Sequence, residues 1–295
     1  MRVTRRNKIL LSALACLLVL PVVTVFGLNR YVNDTSVPLT DSLFPESAPK
    51  RLLAIFAHPD DEITVAGSLR RMSEEADAEI TIAYLTRGEA ANVPKASLSD
   101  LAQRRTVEAD NAGKVLGADN VELFDFRDSG LPAADGAKAQ ETILNLIDEY
   151  RPSVVISFDD RVGFYGHPDH AQVGVWVKTV LNTRRHAPDF PVRHFYQATL
   201  PESMISVAKD LSPTFRDMYP TDPAQGLPAP TVAMTIDSVA SEKRAALDAH
   251  VSQVTVLQAV QPGYDKLLLD LLPHPQPRIL HPGLLTARLL ACRNS

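Results

Sequence analysis

The chain has 295 residues, 45% hydrophobic and 22% charged, enough to bury a full core in one large domain with accessory segments, and unlike a collagenous or disordered composition. The net charge of −5 excludes phosphate-backbone tracking by bulk electrostatics, the more so because Arg2, Arg5, Arg6, Lys8 and Arg30 all precede residue 38. Nucleic acid is therefore not an expected partner, and with only Cys16 and Cys292 no disulfide within the domain is expected.

Behind the basic MRVTRRNK, residues 9–28 are uncharged, close to the ~20 residues a helix needs to span a bilayer. That is longer than the ~7–15-residue apolar core of a cleaved signal. Residues 1–28 are thus expected to be a membrane anchor, with a cleaved signal segment as the alternative. Ala13-Leu14-Ala15 fits a small-x-small cleavage pattern and Cys16 a lipid attachment point, but both lie inside the apolar run. Positive residues ahead of the span place the following domain outside the cytoplasm: membrane-anchored, or secreted or periplasmic if the segment is cleaved. Residues 29–50 are polar and proline-bearing and read as a tether.

A compact domain, 51–295, begins with LLAIFA (52–57), a nearly continuous apolar run suited to a parallel strand covered on both faces. EITVAGSLRRMSEEA has a helical pattern, with Val65, Leu69 and Met72 on one side. EITIAYL (79–85) reads as a strand, 101–116 as a helix closed by Gly117, VELFDF (121–126) as a strand, AQETILNLIDEY as a helix and SVVISF (153–158) as a strand. DHAQVGVWVKTVLNTRR follows as a helix, HFYQATL and TVAMTI as strands, and a further helix starts near Ser238. The proline-rich LLPHPQPRILHPG is expected to be irregular. Strand and helix alternate, so the expected fold is α/β: a Rossmann-like, doubly wound, mostly parallel sheet.

Two polar knots interrupt this pattern, HPDDE (58–62) and FYGHPDH (164–170), each at the carboxyl end of an expected strand. That is where ligands sit in open α/β sheets, so both knots open into one crevice. The adjacent acids Asp60, Asp61 and Glu62 repel one another unless a cation is near, and imidazole with carboxylate suits zinc. Spacing leaves open which of Asp60 and Asp61 binds metal and which acts as base, and which of His167 and His170 is the further ligand. Arg161 and Phe164 are expected at the mouth of the crevice.

AHPDDE, TRGE (86–89), RTVEADNAGKVLG (105–117), YGHPDH (165–170) and KRAALDAHVSQ (243–253), in that order, resemble the LmbE/PIG-L family of zinc-dependent N-deacetylases. The resemblance implies one catalytic Zn2+ held by His58, Asp61 and His170, with Asp60 as general base. It implies that His167 stabilises the oxyanion or protonates the leaving amine, that Tyr165 assists, and that Glu62 orients the turn or a ligand histidine. Arg87, Glu89, Arg161 and His250 are the candidate substrate contacts, while Arg105 and Glu108 read as a structural helix pair. The implied substrate is an N-acetylated sugar, N-acetylglucosamine-like, in a glycan, glycolipid or glycoconjugate, and the N-terminus favours one outside the cytoplasm. Two other classes compete: a metal-dependent ester or phosphoester hydrolase, and a membrane-tethered glycan-binding protein with an inactive site.

Overall fold

The computed structural model describes residues 36–91, 100–253 and, by backbone alone, 286–291, with a few helical positions between 19 and 27. The expected anchor and the first part of the expected tether fall largely outside the described residues, as does the proline-rich run 271–283. Among the described residues no helix is long and apolar enough to cross a membrane.

The strands are β1 (Leu39–Thr40), β2 (Arg51–Phe56), β3 (Glu79–Thr86), β4 (Asn120–Phe126), β5 (Val154–Phe158), β6 (His194–Thr199), β7 (Val232–Met234) and β8 (Thr286–Ala291). The helices are α1 (Ala66–Ser73), α2 (Leu101–Leu116), α3 (Gly136–Tyr150), a one-turn helix Gly163–Gly166, α4 (Pro168–Arg184), α5 (Glu202–Leu211), α6 (Pro213–Met218) and α7 (Ala240–Ala249). One sheet runs in the order β1-β7-β8-β6-β5-β2-β3-β4, parallel except where β8 meets β6 and β7.

The apolar run in β2 is buried on both faces, and its period of two sorts the side chains. Leu52, Ala54 and Phe56 join a core with Leu69 and Met72 of α1, Ala109, Ala112 and Leu116 of α2, and Ala246 of α7. Leu53 and Ile55 join a second core with Ile143, Leu146 and Ile147 of α3 and Val173, Trp176 and Val177 of α4. Full burial of each large side chain is worth about 1.5–3 kcal/mol, so these two layers hold the sheet rigid behind the site. Helix ends follow local chemistry: the Asp135 carboxylate accepts from Ala137 N and Lys138 N at 2.9 and 3.2 Å to start α3, and Pro168 opens α4 where no N–H is needed.

Two expectations need correction. The stretch read as a tether already belongs to the fold in its second half: β1 pairs with β7 through Leu39↔Ala233, and Leu43 and Phe44 are buried in the first core. Apolar residues spaced among prolines carried no period, yet they pack. The chain also supplies an additional strand, β8, inserted antiparallel between β6 and β7.

β2 lies at the sheet's switch point, with β3 on one side and β5 on the other. The turns after β2 and β5 therefore open side by side at the carboxyl edge.

Candidate active site

The turn after β2 is built around two carboxylates. Asp61 Oδ2 accepts from the backbone N–H of Ala57 and His58 at 3.0 and 2.8 Å, which folds the chain back on itself and leaves Oδ1 free to face His170 Nε2 at 3.0 Å. Asp60 adopts φ 110°, a conformation that non-glycine residues rarely take and that costs about 1–3 kcal/mol. Four contacts hold it there. Glu62 Oε2 accepts from Asp60 N at 3.0 Å, Ile63 N donates to Asp60 O at 3.2 Å, and Arg105 Nη2 pairs with the Asp60 carboxylate at 3.1 Å and also donates to Pro59 O.

The turn after β5 is shaped by a buried acid and by glycine. Asp159 accepts from the N–H groups of Arg161, Val162 and Phe164 at 3.0, 2.7 and 3.1 Å. Gly163, at φ 60°, lies where a Cβ would sit 2.3 Å from Ala171 N, and Gly166, at φ 106°, where one would sit 2.1 Å from Met218 O. Only glycine fits either point. The chain emerges at His167, which caps α4 by accepting from Asp169 N on Nδ1 at 3.3 Å, and one turn on His170 points back to β2.

The two turns meet. His58 Nδ1 is 3.2 Å from His170 Nε2 and 3.6 Å from Asp61 Oδ2. Tetrahedral ligands about 2.0–2.1 Å from zinc lie about 3.3 Å apart, so the His58 Nδ1–His170 Nε2 and His170 Nε2–Asp61 Oδ1 separations match two edges of such a site, and the donors His58, Asp61 and His170 have the chemistry to hold that ion. A ligand atom of His167 also comes within 4.8 Å of one on His58 and one on His170. On the far side of the His58 ring, Nε2 is 3.0 Å from Asp128 Oδ1 and 3.3 Å from Asp169 Oδ2, which orients the ring with Nδ1 towards His170 and Asp61. His170 Nδ1 is likewise 3.2 Å from Gly163 O, with Nε2 turned to Asp61 and His58.

Electrostatics follow from this packing. Burial opposes charge on His58, but its bonds to Asp128, Asp169 and Asp61 outweigh burial and hold its pKa well above the usual imidazole value. Burial likewise opposes ionisation of Asp61, and His170 and His58 overcome it, holding that carboxyl well below its ordinary range. Burial pushes Asp60 up to about 6, with Arg105 opposing and Asp61 adding to the rise. His167 is pushed down to about 4 by burial and by the neighbouring His170 and His58 rings. Burial, with the charges of Asp61, Asp60 and Asp128, pushes the Tyr165 phenol far up, so it stays protonated.

The structure brings His58, Asp60, Asp61, Tyr165, His167 and His170 together, with the Tyr165 ring 5.2 Å from that of His170. Glu62 sits beneath them, fully buried. The remaining candidates differ. Arg87 turns to Asp125 and to Thr106 Oγ1, Glu89 accepts from Asp128 N at 2.9 Å, and Arg161 is exposed, reaching Ala224 O at 3.4 Å. His250 is corrected outright: it is 0% exposed and pairs with Glu62 Oε1 at 2.6 Å, so no substrate can touch it. Arg105 and Glu108 do not serve one another, since Arg105 braces Asp60 and Glu108 accepts from Ser252 N and Oγ at 2.8 and 2.7 Å. Asp128 and Asp169 were not singled out from the sequence. Their signal was position, Asp128 just past the carboxyl end of β4 and Asp169 inside HPDH.

Known proteins resemble this chain in sequence and in fold. The PIG-L family model, described as GlcNAc-PI de-N-acetylase, matches residues 53–181. A relative from Thermobifida fusca (strain YX), named 1D-myo-inositol 2-acetamido-2-deoxy-alpha-D-glucopyranoside deacetylase, is 31% identical over 245 residues, covering 70% of this chain and 84% of its own. Among solved structures, N,N'-diacetylchitobiose deacetylase from Pyrococcus horikoshii aligns with a TM-score of 0.56 at 17% identity, covering 90% of this chain and 92% of that one. GalB, the 4-carboxy-2-hydroxymuconate hydratase of Pseudomonas putida KT2440, aligns with a TM-score of 0.58 at 17% identity, covering 83% of this chain and 98% of that one. Those two likenesses concern the fold alone, and since a deacetylase and a hydratase share it, the fold does not select the reaction. The sequence relative does what they cannot: the chain belongs to the PIG-L/LmbE family of N-deacetylases.

Proposed function

We propose that this protein is a zinc-dependent hydrolase that removes the acetyl group from an N-acetylglucosamine unit. The observation that carries the reading is the meeting of His58 Nδ1, His170 Nε2 and Asp61 beside the buried Asp60 carboxylate held by Arg105. The relative's named substrate is an inositol-linked 2-acetamido sugar, which supports the sugar class.

His58, Asp61 and His170 would hold the zinc, which when bound supplies a Lewis acid and lowers the pKa of a coordinated water towards about 7. Asp60 takes the proton from the attacking water, and burial, which raises the pKa of its carboxyl, makes the carboxylate a stronger base for that task. Negative charge grows on the acetamide oxygen as the carbonyl carbon becomes tetrahedral. His167 and Tyr165 meet it with hydrogen: the imidazole accepts from Asp169 N on Nδ1, so its proton is on Nε2, and the phenol keeps its own. The Asp60 proton then passes to the departing amine, giving acetate and the free amino sugar.

On the strength of residues 9–28 we also place the domain outside the cytoplasm, tethered or released, where a glycan, glycolipid or glycosylated natural product is the accessible substrate. Acetate release from free N-acetylglucosamine, chitobiose, glycolipid and peptidoglycan fragments, with and without zinc, tests the chemistry. Zinc-dependent release from at least one compound is expected, and binding of zinc with no release from any would sink the sugar assignment. Protease protection of the domain in intact cells would overturn the placement.

A further inference from the structure

We infer that His250, acting through Glu62, is a positioning residue for Asp60, and that α2 completes this brace by holding the turn on which His250 sits. The inference rests on the reading of Asp60 as general base.

Each link is a direct contact. His250 follows α7, and its Nε2 meets Glu62 Oε1 at 2.6 Å with both side chains fully buried. The other Glu62 oxygen accepts the N–H of Asp60 at 3.0 Å. Glu108 of α2 takes both Ser252 N and Ser252 Oγ, while Gln253 N donates to His250 O at 2.8 Å, so the His250 turn is pinned to the helix that also carries Arg105. His250 Nδ1 has no hydrogen-bond partner among the described residues, so Glu62 is the polar contact that accounts for a histidine here.

Glu62 and Asp60 explain why the contact matters. A residue at φ 110° relaxes unless its surroundings over-determine it, and relaxation would swing the carboxylate away from the water it must deprotonate. Arg105 restrains the Asp60 carboxylate, and Glu62 restrains its backbone. A lone buried glutamate would turn to whatever donor it could find. Locked to His250 on one oxygen, it can offer only the other to Asp60 N. The two restraints grip different ends of one residue, and both are anchored on α2.

The test compares His250→Phe, which fills the site without a donor, with His250→Gln, whose amide N–H can reach Glu62. Both are assayed with zinc at a temperature where circular dichroism shows them folded. Expected for His250→Phe is a kcat lowered about 10–100-fold, the range typical of groups that orient a site residue, with KM within about twofold and zinc content unchanged. His250→Gln should recover most of the loss. Equal losses in the two variants, a loss carried by KM or zinc content, or wild-type kcat in His250→Phe would each overturn the inference.

If His250→Phe does not fold, Glu108→Ala loosens the same turn from the α2 side. It should lower kcat at constant KM, and an unchanged kcat overturns the role of α2. Should the wild type release no acetate, the deacetylase reading fails separately. The positioning claim is then judged from crystal structures of the His250 variants: Asp60 should leave positive φ in His250→Phe and keep it in His250→Gln, and positive φ in both would refute it.

Discussion

The turns after β2 and β5 contribute to one cluster, and in each an aspartate collects backbone N–H groups, Asp61 in one and Asp159 in the other, yet the further restraints differ. The β2 turn is fixed by charge: Asp60, at positive φ without being glycine, is gripped by Arg105 and by Glu62 with His250 behind it. The β5 turn is fixed largely by shape, with Gly163 and Gly166 allowing backbone to approach backbone, Phe164 between them also at positive φ, and Asp159 collecting the freed N–H groups. A turn held by charge can present a reactive carboxylate at a strained angle, whereas a turn held by shape delivers aromatic rings to a set place. The site needs one of each.

That contrast can be broken at either end. The largest effect is expected from Asp60→Asn, which leaves the metal donors intact and should lower kcat by about 10²–10⁴, the usual worth of a general base. Acetate release with parallel zinc analysis checks it, and lost zinc would mean that Asp60 is a ligand. On the other turn, Gly163→Ala places a Cβ 2.3 Å from Ala171 N at a left-handed position. It should cost about 2–4 kcal/mol of stability in a denaturant titration, from strain and overpacking together.

Smaller effects are expected from groups that flank the two turns. Asp128→Asn keeps the shape but removes the charge facing His58 Nε2, and zinc affinity measured by competition with a chelator should fall about 10–100-fold. Asp128 itself is held down at about 2, since its bond to His58 outweighs the effect of burial, so it is ionised wherever the enzyme works. The least is expected of Arg87→Ala. Its pairing with the exposed Asp125 is worth about 0–1 kcal/mol, and KM should hardly move. A rise of about tenfold or more would instead put Arg87 on the substrate.

Much of this was legible in the sequence because its signals are local. The apolar run before His58, the Gly117 stop and the alternation from β2 to β6 follow from period and turn chemistry, and α2 occupies Leu101–Leu116 as its pattern predicts. HPDDE and HPDH announced themselves by crowding charge at strand ends. What the sequence hid was contact across the fold. Arg105 and Glu108 are spaced like a helix pair, and nothing in that spacing says that one reaches back to Pro59 and the other forward to Ser252. His250 sits far along the chain from Glu62, so its burial against that residue could not be read from either motif. β1 and β8 escaped for a related reason: a short strand at the edge, or one entering antiparallel from the far end of the chain, has its partners fixed by topology and not by its own period.

The position of β8 also bears on the order in which this molecule comes together. Strands β2 to β6 draw on residues 51–199 and can pair early, while among the described residues β7 and β1 are linked to them by strand pairing through residues 286–291. Pairings between distant parts of a chain close slowly, because the intervening loop must be ordered first. Until β8 arrives, β6 offers a bare edge to any neighbouring chain, an aggregation hazard during synthesis that a chaperone or rapid completion must cover.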